Sequence, residues 1–172
     1  MERIKKFARE SKVSKSEILL PNDTNMINTL MGGRLMHWMD VIGAISAQKH
    51  SNSLVVTVSV DNISFRNPIH IGQVVTLQAQ VSRAFNTSME VYIKVVAEDI
   101  PKNVKFESNS AFFTFVAINN EFKPLKVPDL IPETEEEIEL FNGALRRREL
   151  RLILANRMKP GDASELNSIL KI

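Results

Sequence analysis

The sequence predicts an α+β fold in which a curved antiparallel sheet wraps around one long helix. Two observations carry this prediction: a nearly all-apolar helical stretch from Gly32 to Ile45, and four long strand-like segments that follow it. A helix that is apolar on almost every side is normally buried, and a sheet covers such a helix well. A third observation, an acidic-then-basic segment after residue 132, predicts a separate C-terminal helix.

Asp40 is the only charged residue between Arg34 and Lys49 in the predicted central helix. A carboxylate in apolar surroundings must be paired, hydrogen-bonded or raised in pKa, because an isolated buried charge is very costly. Carboxylates in such positions are common at catalytic sites. The residues themselves leave two interpretations open: a structural carboxylate that caps a loop or pairs with an arginine, or a functional one.

A polar, turn-forming segment from Pro21 to Met31, which includes Asn25, leads into the helix through Gly32 and Gly33. Glycines at a helix entrance let another molecule approach the backbone. The first N–H groups of a helix have no partner within it, and the positive end of the helix dipole suits a phosphate or a developing oxyanion. Simple close packing is the alternative explanation of the glycine pair.

The spacing of these features predicts a dimer. Asp40 follows Gly33 by seven residues, which places it roughly 10 Å further along a helix. Reacting groups must lie about 3–3.5 Å apart, so one helix cannot offer both groups to the same carbonyl. A two-fold dimer supplies each group twice, and we therefore expect an active site shared between subunits.

Four strands are predicted after the helix. The outermost strand of such a sheet has unpaired backbone N–H and C=O groups, which can pair with another chain. Edge-to-edge pairing of two sheets would again produce a dimer. Proline-rich residues 123–132 form a predicted linker. The expected organisation is an N-terminal extension over residues 1–17, a single domain over 18–127, and a linker with a C-terminal helix over 128–172. The predicted strands are 54–60, with a possible continuation at 63–65, then 74–83, 89–98 and 104–118.

The C-terminal helix is expected to begin after Thr134 as its N-cap and to end before Pro160. Acidic residues lie in its first turn and basic ones towards its end, which complements the helix dipole. One interpretation is a solvated helix that packs on the sheet or on a neighbouring subunit. The other is that Arg146 to Arg148 contact the phosphates of an anionic ligand, which arginine favours.

Composition narrows the class of protein. The formal net charge is +2 and 24% of residues are charged, which gives no indication of nucleic-acid binding. Cysteine is absent, which excludes disulfides and thiolate chemistry. The spacing of His37, His50 and His70 does not suggest a metal site. No segment resembles a signal peptide or a membrane span, so we expect a cytoplasmic protein without metal.

The stretch from Asn22 to Asp40, VVTVSVDNISFRNPIHIG at 55–72, FNTSMEV at 85–91 and AFFTFVAI at 111–118 resemble, in the same order, the hotdog-fold acyl-CoA thioesterases. The resemblance covers residues 18 to 140. It implies the hotdog fold, dimers that assemble into trimers of dimers, and hydrolysis of acyl-CoA to a fatty acid and CoA. It implies no metal and no cofactor, since coenzyme A is part of the substrate.

The resemblance also implies roles for individual residues. Asp40 matches the catalytic aspartate, as general base or as nucleophile. Asn25, from the opposite subunit, would orient water, and the N–H groups of Gly32 and Gly33 would polarise the thioester carbonyl. CoA would contact Phe65, Arg66, Arg83, Thr87 and Ser88.

One departure from the family pattern is Asn28, where glycine is frequent, although asparagine tolerates left-handed backbone. His37 shares a helix face with Asp40, so either a supporting hydrogen bond or a structural role is possible. Two alternatives to hydrolysis stay open. A hotdog dehydratase or hydratase would need a histidine base beside the thioester, and a non-catalytic acyl-CoA-binding protein would need no such aspartate.

Overall fold

A computed structural model describes residues 3–61, 63 and 67–170, with residue 170 described for its backbone alone. The chain forms two compact units, Met1–Ile131 and Pro132–Ile172. The predicted linker, residues 123–132, therefore lies almost wholly in the first unit. It includes a short strand, Asp129–Ile131.

The first unit consists of one long helix and a five-stranded antiparallel sheet with the strand order β2-β4-β5-β6-β3. A parallel pair, β1 with β7, stands apart from it. The elements are β1 Lys5–Phe7, β2 Val13–Ile18, α1 Gly32–Ser51, β3 Leu54–Asp61, β4 Val74–Ala84, β5 Ser88–Asp99, β6 Val104–Ile118 and β7 Asp129–Ile131. This confirms the predicted helix-and-sheet fold.

The core lies between α1 and the face of the sheet to which alternate residues of β5 and β6 point. Successive side chains of a strand point to opposite faces of the sheet, so every second residue faces the helix. A Cβ added at Gly43 of α1 would lie 3.0 Å from the ring of Phe115 and 3.1 Å from Ile93. Glycine at this position therefore lets the helix approach the sheet closely. Alternate positions of β5 are fully buried: Met89, Val91, Ile93, Val95 and Ala97.

The sheet has one strand more than predicted. Residues 1–17 were expected to lie outside the domain, yet β2 pairs antiparallel with β4, from Val13 opposite Ala79 to Ile18 opposite Val74. β2 is an edge strand and its middle residues are exposed, so its sequence carries no apolar alternation. The predicted continuation at 63–65 lies largely outside the described residues.

Within one chain, α1 is buried on one side only, which corrects the prediction that it is buried all round. Leu35, Trp38, Met39 and Ile42 cover the core. The opposite side, here called the open face of α1, consists of His37, Val41, Ile45 and Gln48, all of which are exposed. The apolar part of this face indicates that something further covers the helix.

β3 is the outer strand next to this helix, and its apolar side chains are exposed as well. The exposed fractions are 54% for Leu54, 40% for Val56, 56% for Val58 and 38% for Val60. An open strand edge with apolar residues is a template for pairing with another chain.

The second unit contains α2 Glu135–Leu154 and α3 Ser164–Leu170. The N-cap prediction is confirmed: Glu137 N donates to Thr134 Oγ1 at 3.2 Å, and the Glu137 carboxylate accepts from Thr134 N at 3.2 Å. α2 ends at Leu154, before the predicted stop at Pro160, and α3 was not predicted. In the described part of the chain, no helix is long and apolar enough to cross a membrane.

His50, near the C-terminal end of α1, is fully buried. Its Nε2 lies 2.9 Å from the carbonyl oxygen of Pro128. A carbonyl can only accept, so Nε2 carries the proton, and the buried Nδ1 has no partner among the described residues. Burial lowers the pKa of His50 below its ordinary value of 6.5, and the bond to Pro128 opposes this shift only in part.

We expect His50 to make the protein less stable in mild acid. Below about pH 6.5 the unfolded histidine binds a proton that the folded one does not, so the free energy of unfolding falls as the pH is lowered; this loss is absent above that range. One proton contributes at most about 1.4 kcal/mol per pH unit. Urea unfolding between pH 8 and pH 5 tests this. His50→Gln, which keeps a donor for Pro128, should show a shallower dependence, and equal slopes would contradict the account.

Candidate active site

Asp40 forms a hydrogen-bonded pair with Thr57 of β3. The Thr57 hydroxyl donates to Asp40 Oδ1 at 2.6 Å, and the carboxylate is half-buried at the margin of the open face of α1. The register between β3 and β6 shifts between Thr57 and Ser59, which makes Val58 the extra residue of a β-bulge. Bulges redirect side chains. The hydrogen bond between Asp40 and Thr57 therefore connects α1 to the β-bulge of edge strand β3.

Thr57 was not identified as a site residue from the sequence. Its signal was weak: a hydroxyl residue among apolar β-branched neighbours in β3. Because the bulge decides which side chain meets Asp40, strand periodicity alone could not select it.

Asn25 organises the loop before α1. Its Oδ1 accepts from the N–H groups of Ile27 and Thr29, both at 3.1 Å, and its Nδ2 donates to Thr29 Oγ1 at 2.8 Å. An amide nitrogen carries two hydrogens, so Nδ2 can donate once more. Asn25 is exposed. Its side chain thus shapes the loop and can still present a donor to a ligand.

Asn28 takes the left-handed backbone conformation, with φ of 57°, as expected of an asparagine where the family frequently has glycine. Its carbonyl accepts from Ile71 N at 3.2 Å, and Leu30 N donates to Ile69 O at 2.9 Å. The loop before α1 is therefore attached to the segment before β4.

The start of α1 offers free backbone donors. The first bond at this end runs from Leu35 N to Met31 O at 3.0 Å, so the N–H groups of Gly32, Gly33 and Arg34 have no carbonyl partner within the helix. A Cβ added at Gly33 would meet nothing within 4 Å. Close packing therefore does not explain this glycine, whereas the space beside it suits a ligand.

An ion pair that the sequence did not reveal fixes the helix start. Arg34 Nε lies 2.6 Å from Asp23 Oδ1, and the Asp23 side chain is only 9% exposed. Asp23 O also accepts from Met31 N at 3.0 Å. The pair holds the two ends of the loop together and so keeps Asn25 close to the helix start.

Asp40 and Gly33 lie on one continuous helix, so they are separated by roughly 10 Å along its axis, as predicted. His37 is exposed, and within the described residues it makes no hydrogen bond to Asp40. No group of three or more His, Asp or Glu side chains in the described ranges could hold a metal ion.

Of the predicted CoA-binding residues, Arg83, Thr87 and Ser88 lie at one end of the sheet. Thr87 O accepts from Ala117 N at 3.0 Å, and Ser88 O from Phe85 N at 2.8 Å. The Arg83 guanidinium lies 6.0 Å from the centre of the Phe85 ring. Only 9% of Ser88 is exposed, so this residue contributes more to the structure of the hairpin turn than to a surface that a ligand could contact. Phe65 and Arg66 lie outside the described residues.

The hairpin is level with the Asp40–Thr57 pair across the sheet. Ser88 lies opposite Val116, and Val116 lies opposite Val56, the neighbour of Thr57. Two strand spacings of about 4.8 Å separate β5 from β3. The hairpin and the aspartate therefore share one end of the sheet.

Comparison with known proteins identifies the family of this chain. The family model described as Thioesterase superfamily matches residues 27–103. The uncharacterized acyl-CoA thioester hydrolase YkhA of Bacillus subtilis is 42% identical over 142 residues, which is 83% of each chain. The chain belongs to the thioesterase superfamily. Its relatives place it among the hotdog-fold acyl-CoA thioester hydrolases, which confirms the predicted family and enzyme class.

Solved structures agree with the fold. The acyl-CoA hydrolase of Staphylococcus aureus, in complex with butyryl-CoA, CoA and CoA disulfide, has a TM-score of 0.82 at 36% identity over 89% of this chain and 95% of its own. Further structures of that enzyme carry alanine in place of an asparagine, an aspartate or a threonine. An apo-hexameric acyl-CoA thioesterase has a TM-score of 0.87 at 34% identity over 88% and 97%.

Proposed function

We propose that this protein hydrolyses acyl-CoA thioesters to a free fatty acid and CoA in a site built by two subunits. One subunit supplies the Asp40–Thr57 pair, and its partner supplies Asn25 with the N–H groups of Gly32 and Gly33. The observation that carries the proposal is the Asp40–Thr57 pair at the margin of an open apolar face. A carboxylate in that position is accessible to a substrate and to a second chain.

A second copy of the chain accounts for the apolar surfaces. Two β3 edges paired about a two-fold axis would extend the sheet and bring the open faces of the two α1 helices together. Such an interface uses the same residues twice. It would also place the helix start of one chain towards Asp40 of the other. Three such dimers would form a hexamer, which the hexameric neighbour supports.

In the proposed reaction Asp40 acts as general base. The Thr57 hydroxyl occupies Oδ1, which leaves Oδ2 to take a proton from water while the water oxygen attacks the thioester carbonyl. The spare N–H of Asn25 orients that water. The N–H groups at the helix start stabilise the oxyanion, a contribution of roughly 2.7–4 kcal/mol per donor in comparable sites. The intermediate collapses with loss of the CoA thiolate, which is protonated to the thiol.

Nucleophilic attack by Asp40 itself, through a mixed anhydride, is the alternative. The two routes differ in the oxygen that reaches the fatty acid. In a single turnover in ¹⁸O-water, the general-base route labels the fatty acid. The anhydride route, with water attacking the aspartyl carbonyl, leaves the label on Asp40.

The assignment of these residues gains support from the Staphylococcus aureus enzyme. Its substituted asparagine, aspartate and threonine are separated along the chain by the same numbers of residues as Asn25, Asp40 and Thr57. The Asp40–Thr57 contact gives a physical reason for a threonine at that spacing.

CoA is proposed to lie along the sheet end at the hairpin, with Arg83, Thr87 and Ser88, together with Phe65 and Arg66. The hairpin is level with Thr57, so a substrate whose thioester reaches Asp40 can extend towards it. A cytoplasmic location stays a prediction.

The test of the proposed function is thiol release from a panel of acyl-CoAs from short to long chains. We expect turnover on part of the panel. Hydration of crotonyl-CoA without thiol release would favour a dehydratase or hydratase. Saturable CoA-ester binding without either reaction would favour a binding protein.

In the same assay, Thr57→Ala should lower kcat about tenfold to a hundredfold, which corresponds to the loss of about 1.5–3 kcal/mol that is usual for a hydrogen bond to a charged group. KM should change little, because Thr57 positions Asp40 and does not hold CoA. Thr57→Ser, which keeps the hydroxyl, should recover most of the rate, whereas Thr57→Val should not. Equal rates for the serine and valine variants would remove Thr57 from the mechanism.

A further inference from the structure

Arg3 connects segments of the first unit that lie far apart along the chain. Its Nε donates to Val127 O at 2.8 Å, and its Nη1 forms an ion pair with Asp129 Oδ1 at 2.7 Å. Its Nη2 donates to the carbonyl oxygens of Phe85 and Asn86, the latter at 3.0 Å. A guanidinium group carries its N–H donors in one rigid plane. Partners on two separate segments therefore fix the orientation of this side chain.

Two of these partners form the hairpin turn that connects β4 to β5. Phe85 and Asn86 lie between the end of β4 and the start of β5. Asn86 O also accepts from Val127 N at 3.1 Å, which attaches the same turn to the segment before β7. The backbone of the turn is thus held from outside the hairpin, by a side chain that precedes Phe85 by 82 residues.

This turn leads directly to the residues that are proposed to bind CoA. Thr87 and Ser88 follow it in the chain, and the Arg83 guanidinium lies 6.0 Å from the centre of the Phe85 ring. A cation at about that distance is attracted to the face of an aromatic ring, so the position of Phe85 affects that of the Arg83 guanidinium. A shift of the Phe85 backbone would therefore move a cation that is proposed to contact CoA.

We propose that Arg3 is a positioning residue for CoA binding, because it holds the hairpin turn in the conformation that binds the phosphate-bearing part of CoA. The inference rests on the proposed function, which places CoA at this turn. When a binding-competent conformation is only partly populated, the apparent affinity falls with the populated fraction. Loss of the bonds from Arg3 should therefore weaken the binding of CoA and leave the chemistry at Asp40 unchanged.

Arg3→Gln tests this in a thiol-release assay that compares acyl-CoA with a phosphate-free acyl-pantetheine. We expect the KM for acyl-CoA to rise about tenfold, the effect of losing one charge-assisted hydrogen bond, with kcat unchanged. The KM for acyl-pantetheine should keep its wild-type value, because this substrate lacks the part that is proposed to reach the turn. The matched control is Lys5→Gln. Lys5 is exposed in the same segment, so this change removes an equal charge and should leave both KM values unchanged.

Two further variants separate the position of Arg3 from its charge. Arg3→Lys keeps the charge, but a compact ammonium group cannot bond to all of these partners at once, so the KM for acyl-CoA should stay raised. A wild-type KM in this variant would overturn the proposal, since charge alone would then be sufficient. Asp129→Asn keeps Arg3 and weakens only its ion pair. This milder change should raise the KM for acyl-CoA by a smaller factor, and it also serves if Arg3→Gln does not fold.

Isothermal titration with CoA gives the same comparison without turnover, so the role of Arg3 can be judged separately from hydrolysis. A raised Kd for CoA in Arg3→Gln supports the proposal even if the wild-type protein hydrolyses no acyl-CoA, a result that would refute the proposed function alone. An unchanged Kd, or an equal rise in KM for acyl-CoA and acyl-pantetheine, overturns it. In both of those cases Arg3 would merely stabilise the fold, and a lower Tm would be its only specific effect.

Discussion

Asp40→Ala is expected to abolish thiol release from acyl-CoA, with kcat lowered by about 10²–10⁴-fold, the range for loss of a general base. Asp40→Asn should lose as much activity. The amide keeps the shape of the side chain and an oxygen for Thr57, but it cannot accept the proton of the attacking water. The loss therefore follows from the chemistry of the carboxylate and not from its volume.

The fold should survive this change. Asp40 is half-buried, and its one hydrogen-bond partner among the described side chains, Thr57, is itself exposed. Circular dichroism and size-exclusion chromatography should therefore give the wild-type spectrum and assembly. Asp99→Ala is the matched control: this carboxylate caps a turn at the opposite end of the sheet, so its loss should lower stability and spare kcat. Undiminished turnover by Asp40→Ala would refute the assigned mechanism.

The parts of the fold that were predictable are those in which the sequence alternates. β6 begins and ends where predicted, at Val104 and Ile118, because its inner positions are apolar and asparagines follow it. β2 was not predicted. The middle residues of this edge strand are exposed, so its sequence shows no apolar alternation. Its place in the sheet comes from pairing with β4, a contact that lies far away along the chain.

A candidate site residue could be selected from the sequence where one residue type stands out, but not where two distant residues meet. An aspartate in an apolar helix drew attention to Asp40 from the sequence alone. The partner on β3 depends on a bulge that shifts the register at Val58, and the Arg34–Asp23 pair depends on how the loop folds. Local sequence contains neither.

The all-round apolar helix was an informative error. The sequence predicted complete burial of α1, and the chain by itself buries one side. Val41 and Ile45 are exposed, as are three valines of β3. In the proposed dimer a second copy would cover these side chains, and α1 would then be buried on both sides. The proposed shared site rests on the same geometry, since Asp40 and the helix start are too far apart to meet within one chain.

The second expected effect is recovery of activity by two variants that are inactive alone: Asp40→Ala, and Asn25→Ala, which removes the donor proposed to orient the water. In a dimer of Asp40→Ala with Asn25→Ala, one site contains both substitutions and the other contains neither. Random mixing makes half of the dimers hybrid, so about a quarter of all sites are intact. A mixture of Asp40→Ala with Asp40→Asn has no intact site, because both changes fall on the same half, and serves as the control.

Thiol release by the hybrid preparation is therefore the measurement that tests the shared site most directly. The two variants are co-expressed or refolded together and assayed at saturating acyl-CoA. With a site shared between subunits, we expect about a quarter of the wild-type rate, with none in the control mixture. A hybrid preparation that is as inactive as its two parents, although the chains have mixed, would show that Asn25 and Asp40 of one chain serve the same site and would contradict the account.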